Sequence, residues 1–303
     1  MIESAVEVLR AGGLVAFPTE TVYGLGADAA NPAALRRLFA VKGRPTDHPV
    51  IVHVARAAQL DELGRDVPDV AHALAHEFWP GPLTLVVRRD PGRVAAEATG
   101  GRDTVGIRVP DHPVALALLD AFGGGVAAPS ANRFGRVSPT TAQHVRDDLG
   151  ADVDLVLDGG PSTVGVESTI VDVTGAEPVV LRVGGIDEAR LARIVGAPLV
   201  RRTSGEVAAP GTLPSHYAPN ARVELVDADR LAERAERLRA EGLAVAVLDA
   251  PADAAEHAHV LYGRLRELDA TGVDVIVAVL PADQHGIGAA VADRLRRAAA
   301  PPR

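Results

Sequence analysis

Four short polar stretches interrupt an otherwise apolar sequence and hold the residues best suited to chemistry. They are Pro18-Thr19-Glu20-Thr21-Val22-Tyr23-Gly24-Leu25-Gly26, Lys42-Gly43-Arg44-Pro45, Ala127-Ala128-Pro129-Ser130-Ala131-Asn132 and Gly165-Val166-Glu167-Ser168-Thr169. Scarcity adds weight to them. The chain has three tyrosines, three asparagines and seven serines, yet these stretches take Tyr23, Asn132, Ser130 and Ser168. Of the 31 basic residues, all but Lys42 are arginines. A guanidinium is planar and donates in a fixed fork, whereas an ammonium is a compact point charge able to follow a phosphate or a developing oxyanion. Lys42 and Arg44, joined by Arg108 and Arg182 at the ends of two apolar runs, make a potential anion pocket, and Ser130 and Asn132 add neutral donors and acceptors. The set contains no obvious nucleophile or general base, so it suits electrostatic stabilisation of phosphoryl or adenylyl transfer better than covalent chemistry. Taken singly, Arg108 and Arg182 read equally well as ion pairs with carboxylates at the rim of a sheet.

Several other chemistries are excluded. A Walker A loop would have to end at Lys42, which is followed by glycine, and the Ser-x-x-Lys and protein-kinase patterns fail for want of a second lysine. Gly24-x-Gly26-x-x-Ala29 is a weak dinucleotide fingerprint, because Pro32 opens the next helix too late. His72 and His76 lie one helical turn apart, but Glu77 is misplaced for a His-Glu-x-x-His hydrolase. The absence of cysteine removes disulfides, zinc ribbons, iron–sulfur clusters and thiol nucleophiles, and points to a reducing compartment. A net charge of −9 disfavours stable, sequence-independent nucleic-acid binding. No apolar run reaches the ~18 residues of a membrane span and the N-terminus has no signal-peptide pattern, so a cytoplasmic protein without membrane contact is expected.

Elements must bring these stretches together. At roughly 100–200 residues per domain, 303 residues predict two domains, and 47% hydrophobic with 23% charged residues is the balance of a folding globular chain. Residues 5–11 read as a helix stopped by Gly12-Gly13, and 14–17 as a buried strand. Apolar runs at 50–54, 83–87, 105–109, 125–128, 155–157, 169–173 and 179–183 are interleaved with helical stretches near 33–40, 68–78, 113–121 and 141–149. Several strands lie too close together for helical crossovers, which predicts a mixed sheet. Prolines and glycines then break the pattern, and beyond them strands 223–226, 243–248 and 273–280 alternate with helices 229–240, 254–270 and 287–299. The expected architecture is α/β: a twisted mixed-sheet domain with a concave cavity over 1–190, a linker over 191–221 and a small Rossmann-like βα domain over 222–303.

The four stretches in this order, together with Trp79-Pro80-Gly81-Pro82-Leu83-Thr84, resemble the YrdC-like threonylcarbamoyl-AMP synthases over about residues 5–190. The segment Pro210-Gly211-Thr212-Leu213-Pro214-Ser215-His216-Tyr217-Ala218-Pro219, followed by a βα unit, is similar to the longer, two-domain branch of that family. The resemblance implies a nucleotidyltransferase that converts L-threonine, bicarbonate and ATP to L-threonylcarbamoyladenylate and pyrophosphate. The product would feed the tRNA threonylcarbamoyl-transfer machinery that makes threonylcarbamoyladenosine.

By the same resemblance, Thr21, His53, Arg108, the Ala128 backbone and Ser168 would hold threonine. Arg44, His48, Thr104, Ser130, Ser138, Arg182 and Tyr217 would hold ATP, and Lys42, Arg44, Ser130 and Asn132 would form the catalytic set, with Mg2+ accompanying the nucleotide. His48 stands where relatives often carry asparagine, and Thr212-Leu213-Pro214-Ser215 is less basic than the usual linker. Tyr217 is expected to close over the nucleotide as an aromatic lid, the alternative being a tether whose tyrosine packs on the second domain. Two other functions compete. A carbamoyltransferase with the same domain would bring cysteine-rich modules that this chain does not contain. A non-catalytic RNA-binding module is disfavoured by 11 arginines against 14 acidic residues over 222–303 and by the lack of an aromatic stacking platform.

Overall fold

The apolar runs fold as strands whose ends differ from the expected ones by one or two residues. The computed structural model describes residues 1–201, 210–211 and 215–301. Among these, the main sheet runs in the order Val200–Arg201, Val179–Arg182, Thr169–Asp172, Leu83–Arg89, Thr104–Arg108, Ile51–His53, Val126–Ala127, Gly24–Asp28, Val15–Phe17 and Leu155–Val156, with Gly64–Arg65 paired to Leu83–Arg89 off this path. It is mixed, as the close spacing of the runs predicts: Ile51–His53 pairs parallel with Thr104–Arg108, for example, and Leu83–Arg89 pairs antiparallel with it. Helices Pro32–Lys42 and Asp69–Phe78 pack on the sheet through Leu35, Leu38, Phe39, Leu74 and Phe78 to form the principal core. Helices Ile2–Arg10 and Pro113–Phe122 bury a second core against Val15, Phe17 and Val126.

Two elements depart from the expected reading. Residues 24–28 form a strand and not a loop. The strand packs closely because Gly26 has no side chain: a Cβ there would lie 2.8 Å from Val126 and 2.9 Å from Phe17. Glycines used in this way cannot open a helix onto a pyrophosphate, which disposes of the dinucleotide fingerprint. The linker also starts later than residue 191. Helix Glu188–Val195, capped by the Asp187 carboxylate at Ala189 N, buries Leu191 in the principal core, and Val200–Arg201 extends the sheet beside Val179–Arg182. The helix is amphipathic, with apolar residues at 189, 191, 192, 194 and 195, but the Gly196 and Pro198 that follow it lead a reading by breaker residues to place it in the linker. Residues 202–209 and 212–214 of the expected linker, including Thr212, Leu213 and Pro214 of its motif, lie outside the described residues.

Beyond the linker, strands Arg222–Val226, Val275–Val279 and Val245–Val247 form a parallel sheet in that order. Val275 and Val277 face helix Leu231–Ala240 through Leu238, while Ile276 and Ala278 pack on the other side with Leu261, Leu265, Val291 and Leu295 of helices Ala254–Ala270 and Gly286–Ala298. This core around Ile276 and Ala278 also takes in Val22, Val137 and Val166 from the first domain and Tyr217 from the linker. The two domains therefore share a hydrophobic core.

The burial of Leu191 sets a testable cost. Leu191→Ala should lower the urea-unfolding stability of the full chain by about 2–5 kcal/mol, the usual range for emptying a buried leucine site. A loss below about 1 kcal/mol would detach this helix from the core.

Candidate anion-binding active site

The site begins at the end of a helix. Asn31 caps helix Pro32–Lys42 by accepting from Ala33 N and Ala34 N, with Pro32 in the first turn where no amide hydrogen is needed. Gly43 ends it at φ 63°, the left-handed conformation that glycine adopts without penalty, so Lys42 and Arg44 leave the helix in different directions. The helix end is fixed to the third polar stretch, because Phe134 N donates to Lys42 O and the Arg133 guanidinium donates to Val41 O. Lys42 turns inward, and its ammonium donates to Ser130 O and Asn132 O, each at 2.5 Å. Arg44 reaches the cavity and is braced by Nη2 donating to Pro49 O at 2.8 Å.

A second group comes from neighbouring strands. His53 and Arg108 are register partners in the parallel pair Ile51–His53 and Thr104–Arg108, so both side chains reach the same edge of the sheet. Arg108 is buried against Glu20 at 2.7 Å, and its Nε donates to Gly81 O at 3.1 Å. The Trp79–Thr84 motif thus acquires a structural purpose: Gly81 supplies a carbonyl to Arg108, and Thr84 places its hydroxyl 2.8 Å from that of Ser168. Thr19 shapes the first stretch, its hydroxyl donating to Val22 O at 2.6 Å and lying 2.8 Å from Thr21 Oγ1.

The third group surrounds Ser168. A register shift between Val180 and Arg182 re-aims the Arg182 side chain, a common use of irregularities near sites. Its Nε and Nη2 donate to Ser168 O and Ser168 Oγ, both at 3.0 Å, and Nη1 donates to Pro210 O of the linker at 2.7 Å. Beside Ser168, Glu167 accepts from Ser138 Oγ at 2.7 Å and from Arg294 Nε at 2.7 Å.

A cavity of about 50 Å³ lies among these groups, small beside the ~300–1,000 Å³ of ordinary ligand clefts. Thr21, His53, Arg108, Ala128 and Ser168 all line it, as do Arg44, Ser130, Arg182 and Tyr217. The other expected site residues lie elsewhere. Lys42 and Asn132 stand behind the Ser130 loop, the Asn132 amide donating to Arg133 O and Arg136 O. Ser138 is buried behind Glu167. Thr104 lines an adjoining recess with Thr84, Ile170 and Leu181, and His48 faces a separate groove between the domains.

Sequence reasoning left Thr19, Glu167, His216 and the linker residues Pro210 and Gly211 out of the site, although they share the wall. Glu20, the partner of Arg108, was likewise left out. For Glu20 and Glu167 the available signal was a carboxylate within the first and fourth polar stretches. Tyr217 fulfils part of both readings made of it: it lines the cavity, and its ring stacks on Tyr262 of the second domain with centroids 5.7 Å apart. Its φ of 61° is strained for a residue with a side chain.

Burial sets the protonation states. It lowers His53 to about 3, with Arg108 adding to the effect, and lowers His216 to about 3 against the opposing pull of Glu167, with Arg44, Lys42 and Arg294 adding to the fall. Burial also lowers Arg44 to about 10, which leaves it charged at neutral pH, and drives Lys42 well down. For Glu167 burial pushes upward, but Arg294 and Arg182 prevail and hold it at about 2. The signs combine. Unfolding releases His53 and His216 to their ordinary value of 6.5, so the unfolded chain takes up more protons as pH falls from there toward 3. Glu167 adds a loss of the same sign between its ordinary 4.5 and about 2. The urea midpoint should therefore fall steadily between about pH 7 and 5, and His216→Gln should shrink that fall. A flat profile over the same interval would contradict neutral buried imidazoles.

Two family models match in succession, one described as "Telomere recombination" over residues 7–184 and one described as "Threonylcarbamoyl-AMP synthase, C-terminal domain" over 186–300. The threonylcarbamoyl-AMP synthase of Pyrococcus abyssi is 41% identical, covering 98% of this chain and 93% of the relative. That of Bacillus subtilis is 38% identical, covering 98% and 92%. The crystal structure of P. abyssi Sua5 complexed with L-threonine matches with a TM-score of 0.92 at 40% identity, over 98% of this chain and 94% of that one. In sequence along both domains and in fold, this chain belongs to the threonylcarbamoyl-AMP synthase family.

Proposed function

We propose that the cavity condenses L-threonine, bicarbonate and ATP to L-threonylcarbamoyladenylate, releasing pyrophosphate. The observation that carries this reading is the convergence of three buried guanidiniums, Arg44, Arg108 and Arg182, with the hydroxyls of Thr21, Ser130 and Ser168 on one wall. The titratable bases on that wall are held out of proton transfer at neutral pH: His53 and His216 sit near 3, and Glu167 sits near 2 in an ion pair. Such a site works by fixed charge. The threonine amine attacks the bicarbonate carbon, and as a C–O bond breaks water leaves and a carbamate is formed. One of its oxygens attacks the α-phosphorus of ATP as the bond to pyrophosphate breaks, and negative charge accumulates where cations are already fixed.

Residue roles follow from position. Arg108, held by Glu20 and Gly81 O, suits the threonine carboxylate, and Thr21, His53, the Ala128 backbone and Ser168 surround the rest of the amino acid. Arg44, Ser130 and Arg182 suit the phosphates, with Arg182 Nη1 exchanging Pro210 O for a phosphate oxygen as the linker withdraws. Tyr217 and the linker fill space that the nucleotide needs, which supports the lid reading. Lys42 acts at one remove, by fixing the Ser130–Asn132 loop through two carbonyls. Mg2+ fits as an ion brought by the nucleotide phosphates: among the described residues no group of three His, Asp or Glu side chains is arranged to hold it. The mixed-anhydride product would pass to the tRNA threonylcarbamoyl-transfer machinery. A cytoplasmic setting agrees with the cysteine-free composition and with the absence, among the described residues, of any helix long and apolar enough to cross a membrane.

Purified protein given ATP, Mg2+, bicarbonate and labelled threonine should form an adenylated threonine derivative with one pyrophosphate per product. Threonine-independent background release would sink the proposal. Lys42→Arg should reduce product formation by about 100-fold, because the larger planar group cannot fit between the two carbonyls without displacing the Ser130 loop. A folded variant with most of the wild-type rate would show that this loop need not be fixed. Arg108→Ala should weaken threonine by about 10- to 150-fold and ATP far less, as loss of one charge-assisted pair requires. Equal losses for both ligands in separate titrations would make Arg108 a general prop of the cavity.

A further inference from the structure

We infer that Arg294 and Tyr262, both carried by the C-terminal domain, are positioning residues of the first domain's active site. They clamp Glu167 and Val183, and through them the Ser168–Arg182 pair, so that the site is complete only with the second domain docked. This rests on the synthase reading of the cavity.

The geometry is that of two guanidiniums gripping the same two chain segments from opposite sides. On the cavity side, Arg182 donates to Ser168 O and Oγ at 3.0 Å. On the far side, Arg294 donates from Nε to Glu167 Oε2 at 2.7 Å and from Nη2 to Val183 O at 3.0 Å. Glu167 precedes Ser168 and Val183 follows Arg182, so Arg294 holds the immediate neighbours of both site residues. Tyr262 OH adds donation to both Glu167 oxygens, at 2.9 and 3.1 Å. The same pair reaches the linker: Tyr262 stacks on Tyr217, and the Arg294 guanidinium carbon lies 5.2 Å from the centre of the Tyr217 ring. The domain also bears directly on the polar stretch itself. A Cβ at Gly165 would fall 2.3 Å from Ala258 O, so helix Ala254–Ala270 rests on bare backbone there.

Plain adhesion between domains would not need this arrangement. Apolar side chains of equal volume hold surfaces together without the cost of desolvating a guanidinium and a carboxylate. Directed donors on one carboxylate fix orientation, which a slippery apolar contact does not. Arg294 is fully buried and spends its donors on Glu167, Val183 and its neighbour Asp293, so its role is local and geometrical.

The test uses the full chain. In Arg294→Met, amide hydrogen exchange over residues 165–169 and 182–184 should speed up by about tenfold or more, while exchange over 104–108 stays as in the wild type. The kcat should fall by about tenfold or more. The kcat/KM profile should gain an ionisation between about pH 5 and 8, as Glu167 loses its main cation and keeps Arg182, Tyr217, Tyr262, His216 and Asp293 around it. Adding Glu167→Gln should abolish that ionisation without restoring kcat. Wild-type exchange over both segments in a folded Arg294→Met protein overturns the clamp, whatever the rate. If Arg294→Met does not fold, Tyr262→Phe decides by the same exchange measurement, since it removes one donor from Glu167 and keeps the ring on Tyr217. A wild-type protein that makes no adenylate would refute the synthase reading and leave the exchange result to judge the clamp by itself.

Discussion

Burying positive charge governs this molecule. Lys42, Arg44, Arg108, Arg182 and Arg294 each keep less than a tenth of their surface exposed, and a cation removed from water must find partners or destabilise the fold. Most of the partners here are backbone carbonyls: Ser130 and Asn132 for Lys42, Pro49 for Arg44, Gly81 for Arg108, Ser168 and Pro210 for Arg182, and Val183 for Arg294. Carbonyls satisfy donors without cancelling charge. Among the described residues, Glu20, Glu167 and Asp293 are the carboxylates paired with these five cations, so positive potential persists in a chain whose formal net charge is −9.

The same requirement shapes the loops. The carbonyls that accept from buried cations lie in the segments between elements, just after a strand or helix at Gly81 and Val183 and just before a strand at Pro49 and Ser168, so the cations fix the path of the chain where it enters or leaves the sheet. Lys42 holds the Ser130–Asn132 turn, Arg108 holds the turn after Trp79, and Arg182 ties the end of one strand to the start of its neighbour at Ser168. Neutral imidazoles at His53 and His216 occupy the remaining polar positions without adding charge that would have to be balanced.

Shared packing joins this site to the C-terminal domain. Val22, Val137 and Val166, each from or beside a polar stretch of the first domain, belong to the second domain's core, and Arg266 adds an ion pair to Asp148 at 2.5 Å. The parallel three-stranded sheet is therefore the far wall of the structure that carries the chemistry, and the linker tyrosine sits between the two.

The sequence by itself determined the mixed sheet and the βα domain, because apolar runs report burial directly. Of the cavity wall, Arg44, Arg108, Ser130 and Arg182 were legible as charged or polar residues at element ends, while Thr21, His53, Ala128, Ser168 and Tyr217 came from the family resemblance. The sequence also separated Lys42 from thirty arginines, but not its purpose. Rarity marks a residue without saying which way its side chain turns, and only the tertiary structure put the ammonium on two carbonyls behind the wall. Strand Gly24–Asp28 was illegible because its glycines carry no apolar signal, and helix Glu188–Val195 was masked by the Gly196 and Pro198 that directly follow it. Glu20 beside Arg108 and Glu167 beneath Arg294 are pairings across 88 and 127 residues, and no local pattern encodes them. They exist because a buried cation must be met by whatever acceptor the packed fold brings to it.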